Sequence, residues 1–114
     1  MNVRQDKPSL RFVGQADFSS EVLESSKPVL VVFIAPWSRP CQVLETTLNE
    51  VLPACDGRVE VVKINADDQP DLSLWYDIQS IPTLLYFVAG RVQARVVGTA
   101  SKEAILAKLN LLKA

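Results

Sequence analysis

Val29-Leu30-Val31-Val32-Phe33-Ile34-Ala35-Pro36-Trp37-Ser38-Arg39-Pro40-Cys41 is the stretch on which the fold of this chain turns. Six residues, Val29 to Ile34, are continuously apolar and mostly β-branched or aromatic. That is the pattern of a strand buried on both faces. Ala35-Pro36-Trp37 breaks the run, and helical spacing begins just after it. Ser38 precedes the new segment, and Pro40 sits near its first helical position, where a missing N–H costs nothing. Residues 37–41 therefore lie where a central strand gives way to a helix. Proteins of the α/β class carry chemistry at such junctions, because unpaired N–H groups and the helix dipole favour negative charge there.

Working outward, the helix from about Pro40 carries Val43, Leu44, Thr47, Leu48, Val51 and Leu52 at i, i+3, i+4 spacing. Pro53 is expected to disturb its last turn and Asp56-Gly57 to close it. Upstream, Ser9-Leu10-Arg11-Phe12-Val13 alternates as a short first strand. Asp17 is the expected N-cap of a helix running to about Ser26, with Phe18, Val22 and Leu23 as its apolar stripe. Downstream, Val59 to Asn65 reads as a third strand, and Asp67-Asp68-Gln69-Pro70 opens a short helix through Tyr76. Thr83–Val88 and Val92–Val97 flank the tight turn Ala89-Gly90, which makes an antiparallel hairpin. Ser101 with Glu103-Ala104 starts a last helix striped by Ile105, Leu106, Leu109 and Leu112. The order βαβαβαββα predicts an α/β domain over residues 1–114, its central mixed five-stranded sheet flanked by four helices. Residues 1–8 are expected to be a flexible N-terminal segment.

Twelve basic and thirteen acidic residues leave a formal charge of −1, so there is no electrostatic case for nucleic acid or an anionic membrane as partner. Histidine is absent, which removes His-based metal sites and every Ser-His or Cys-His arrangement. No metal and no cofactor is expected. The polar N-terminus lacks the apolar core of a signal peptide, and no apolar run approaches the roughly 20 residues that span a bilayer. A cytoplasmic protein is the expectation. Cys41 and Cys55 fall on one predicted helix and its end, roughly 20 Å apart if the helix is continuous, too far for a disulfide.

The Trp37-Ser38-Arg39-Pro40-Cys41 segment resembles the active-site segment of thioredoxins, Trp-Cys-Gly-Pro-Cys, with Ser38 and Arg39 in place of the first cysteine and the glycine. The resemblance extends through Val61-Val62-Lys63-Ile64-Asn65-Ala66-Asp67, through Tyr76-Asp77-Ile78-Gln79-Ser80-Ile81-Pro82-Thr83-Leu84, and through Val97-Gly98. It implies the thioredoxin fold. In that family the first cysteine attacks a client disulfide as thiolate, and the second resolves the mixed disulfide. Cys41 matches the resolving cysteine, and Ser38 stands at the nucleophile position. A hydroxyl is not ionised near neutral pH and forms no disulfide, so the dithiol cycle is not expected to run. Ser38 has three readings: an N-cap, a hydrogen-bond donor to a bound thiolate, or a serine substituted for the cysteine of an ordinary thioredoxin. In the third case the resemblance implies a protein-disulfide reductase recycled by a thioredoxin reductase.

The resemblance also implies that Ile81-Pro82 has a cis bond and lies beside the active-site segment. There it would offer backbone groups to an extended protein or peptide client. Trp37, Arg39, Pro40, Ile81, Pro82, Val97, Gly98 and Thr99 are the candidate binding residues. Two further departures matter. Val32 stands where many members carry a buried acid, and Ile34 where an aromatic residue is common. Lys63 matches the lysine that neighbours that acid. Without the acid it is either left near low dielectric without a partner or reaches water. Cys41 itself is either a small buried hydrophobe or a reactive lone thiol.

Overall fold

The computed structural model describes residues 10–112. Ser9, assigned above to the first strand, and the segment 1–8 lie outside the described residues. Nine elements follow in the expected order: β1 (Arg11–Phe12), α1 (Gln15–Phe18), β2 (Val29–Ile34), α2 (Arg39–Cys55), β3 (Glu60–Asn65), α3 (Pro70–Trp75), β4 (Thr83–Val88), β5 (Arg91–Val97) and α4 (Lys102–Leu111). The strands form one mixed sheet in the order β1-β3-β2-β4-β5. β1 and β2 run parallel to β3, and β4 is antiparallel to both β2 and β5. β2 is thus the middle strand.

Its six residues are all buried, and alternation sorts them into two layers. Leu30, Val32 and Ile34 pack with Cys41, Leu44, Leu48 and Val51 of α2 and with Ile105 and Leu109 of α4. Val29, Val31 and Phe33 face the other side, with Phe18, Val22, Leu72 and Phe87. On that side the rings of Phe18, Tyr76 and Phe87 meet pairwise at 5.5–5.9 Å between centroids, within the range of favourable aromatic contact.

The first helix differs from the reading. Asp17 is not its cap. The helix starts at Gln15 after Gly14, with no side-chain cap of its own. It passes into a π-helical turn, Ser19–Leu23. The first-turn N–H of Gln15 donates instead to the Gln69 side chain at 2.9 Å. That long-range acceptor draws the start of the helix upstream of Asp17. Pro53 does not break α2, which continues to Cys55 and ends on Asp56 in the left-handed conformation (φ 53°). Pro53 and Asn49, four residues before it, are both exposed, so water can serve the carbonyl that proline leaves without a donor. The hairpin turn is as expected, with positive φ at both Ala89 and Gly90, the geometry that suits the twist of flanking strands.

Candidate functional site

The sheet brings the candidate residues to one end. Phe33 pairs with Thr83 across β2 and β4, and Thr83 with Val97 across β4 and β5. The segments just past these pairs are therefore neighbours: 35–41 after β2, Ile81-Pro82 before β4, and Gly98-Thr99 after β5. The Ile81–Pro82 peptide bond is cis, and the Gly98 N–H donates to the Pro82 carbonyl at 2.8 Å. Gly98 has φ 98°, a conformation that penalises a Cβ. Thr83 Oγ1 donates to the Ser80 carbonyl at 2.6 Å, which ties the loop to the strand it opens.

Ser38 is the N-cap of α2. Its backbone is extended, its hydroxyl oxygen accepts from the Cys41 N–H at 3.4 Å, and its carbonyl accepts from Gln42 N–H at 3.1 Å. Arg39 and Pro40 make the first turn and are exposed. Cys41 is buried, and its sulfur accepts from the Ala35 N–H at 3.5 Å. Trp37 is 71% exposed, yet its position is set: the indole N–H donates to Asp67 Oδ2 at 2.7 Å. Of the other candidates, Pro82 is buried, Ile81 and Gly98 are half-buried, and Val97 and Thr99 are exposed. Both cysteines are free. Cys55, at the far end of α2, is buried, and burial pushes its thiol up despite the opposing charge of Arg58.

Lys63 follows neither of the two alternatives. It lies beside Val32 in the β2–β3 register, and its side chain is only 13% exposed, so it does not escape to water. Nor is it without a partner. Glu45, one helical turn beyond Cys41 on α2, places Oε2 at 2.7 Å from Lys63 Nζ. The Phe12 ring stacks against the same ammonium at 4.1 Å. The acid missing from β2 is thus replaced by one from the helix above. Glu45 carries no mark within its own segment, and only the lie of α2 across β3 brings it to Lys63. Among the described residues no cluster of His, Cys, Asp and Glu could hold a metal. No described helix is long and apolar enough to cross a membrane.

Comparison with known proteins agrees with this geometry. The profile of the family described as Thioredoxin matches residues 9–111. A thioredoxin of Pyropia yezoensis is 39% identical over 102 residues, covering 90% of this chain and 95% of the relative. One from Acidithiobacillus ferridurans is 40% identical over 102 residues, 90% of this chain and 94% of its own. Thioredoxin 1 of Synechococcus elongatus is 44% identical over 90 residues, 79% and 84% of the two chains. With a five-stranded sheet of this order, and likeness along nearly all of its length, the chain belongs to the thioredoxin family.

Proposed function

We propose that this chain is a thioredoxin-family protein that binds polypeptide clients, as a chaperone or adaptor, without turning over their disulfides. The observation that carries the reading is Ser38. Its oxygen serves as the cap of α2 at 3.4 Å from the Cys41 nitrogen, where a disulfide cycle needs a second sulfur. Exchange requires a thiolate to attack one sulfur of the client, releasing the other, and then a neighbouring thiol to displace the client. Cys41 alone could complete only the first half. Cys55 sits at the other end of the same helix and cannot reach it.

Client binding needs neither thiol. An extended segment would add its backbone beside Ile81-Pro82 and Gly98-Thr99, with Trp37, Arg39, Pro40 and Val97 as the walls. The near-neutral charge suits a cytoplasmic protein acting on other proteins rather than on nucleic acid or an anionic membrane.

A second reading is favoured by the names of the relatives, which are thioredoxins. It is a protein-disulfide reductase, recycled by a thioredoxin reductase, in which serine stands for cysteine at position 38. Insulin reduction with a thiol or reductase as electron source separates the two. The chain as it stands is expected to match the buffer control. Turnover well above that control would overturn the proposal. Strong activity from Ser38→Cys would mean that the rest of the site is that of a reductase, and weak activity would mean that the divergence extends to Val32 and its surroundings.

A further inference from the structure

The short helix α3 buries Leu72 alone. Asp71, Leu74 and Trp75 lie at i, i+3 and i+4, so they share one flank. All three are exposed, Leu74 to 77% and Trp75 to 61%. Single exposed apolar residues are ordinary on soluble proteins. Here two large ones are adjacent, and both ends of their helix are tied to the candidate site. At the leading end Asp67 holds the Trp37 indole. At the trailing end Arg95 of β5, two residues before Val97, donates to the carbonyls of Tyr76 and Asp77. The flank is held in place and nothing among the described residues covers it.

Its charge is as distinctive as its apolarity. From Ile64 to Gly90 the sequence has no lysine or arginine and four aspartates, Asp67, Asp68, Asp71 and Asp77. All four are exposed, and none makes an ion pair among the described residues. In a chain with a net charge of −1, the segment that carries these two bare apolar side chains thus has four acidic residues and no basic one of its own, Asp71 lying on the same flank and Arg95 reaching in only to the carbonyls at the trailing end. That excludes several occupants. Nucleic acid and anionic lipid would be repelled. A neutral apolar partner would desolvate the aspartates without pairing them. A second copy of this chain docked flank to flank would set like charges against each other.

We propose that this flank of α3 docks a cationic and apolar polypeptide segment. A lysine or arginine stacks on the Trp75 indole and pairs with Asp71, while a neighbouring aliphatic residue packs on Leu74. The surface lies outside the groove of the proposed function and does not depend on it.

Nitrogen-15 NMR titration with three short peptides, alternating Lys/Leu, Lys/Ser and Glu/Leu, tests the assignment. The Lys/Leu peptide is expected to shift the Trp75 indole and the amides of residues 71–75. It should bind about ten-fold more tightly than either other peptide, and added salt should weaken it. Trp75→Ser and Asp71→Asn, both at exposed positions, should each remove most of that preference while leaving the circular dichroism spectrum unchanged. Three results would overturn the proposal: no shift on α3, equal shifts with the Glu/Leu peptide, or concentration-dependent shifts of Trp75 in the free protein, which would assign the flank to a second copy. Shifts confined to Ile81, Gly98 and Thr99 would also sink it while supporting the groove. Shifts on α3 without any in the groove would sustain it, since the two surfaces are independent.

Discussion

Glu45 and Lys63 form an ion pair at 2.7 Å with the lysine side chain mostly out of water. Removing one partner leaves a charge with poor solvation, which costs more than the pair contributes. Because Glu45 is about one-third exposed, Glu45→Gln is expected to destabilise the fold by about 1–2 kcal/mol in urea unfolding. Adding Lys63→Met should restore much of the loss, since the methionine stem can still pack on Phe12. If the double variant is as unstable as the sum of the singles, the two side chains are not coupled. Tyr86 gives a pH test. Burial pushes its phenol up to about 12, above the ~10 of an unfolded chain. Below about pH 10 both states keep the proton. Above it the unfolded chain releases the proton first, so stability falls as pH rises from about 10 to about 12. Tyr76 and Cys55, raised in the same direction, add to the trend. Tyr86→Phe should flatten the alkaline loss measured by thermal unfolding across that window. An unchanged slope would assign the loss to the other groups.

At the scale of elements, α2 joins the sheet to the candidate site, and its two ends make separate predictions. Ser38→Ala should cost about 1 kcal/mol through the lost cap, and Ser38→Asp should retain most of it. Equal unfolding midpoints for all three proteins would mean that the hydroxyl does not cap. Near the other end, Pro53→Ala restores a donor to the Asn49 carbonyl and should raise Tm. A fall would show that the ring packs more usefully than the missing bond costs. These elements also mark how far the sequence could be read. The start of α2 was legible because Ser38 and Pro40 are local signals whose meaning does not depend on distant residues. β2 and the β4–β5 hairpin were legible because full burial and a two-residue turn leave few alternatives. The start of α1 was not, because its free N–H is served by Gln69, far away in sequence. Glu45 was not either, since pairing with Lys63 is fixed by how α2 lies across β3 rather than by any spacing within one segment.

For the whole molecule, a mixed sheet covered by helices on both faces followed from the order of elements, the strand order β1-β3-β2-β4-β5 came only with the structure, and the placing of segments 37–41, 81–82 and 97–99 at one end followed from the resemblance. What composition concealed was the distribution of charge, because a total of −1 averages over an α3 region whose four aspartates make no ion pair among the described residues. The arrangement of sulfur has a different consequence. The chain has two cysteines, held apart along one unbroken helix, so it has no internal disulfide to make or break. Its unfolding midpoint should be the same in dithiothreitol and in air-saturated buffer, and a shift between them would point to a bond formed with another molecule. A dithiol protein reports the electron supply of its surroundings by changing state. This one has no internal disulfide with which to change state, so a partner that recognises its surface is expected to bind it equally under reducing and oxidising conditions.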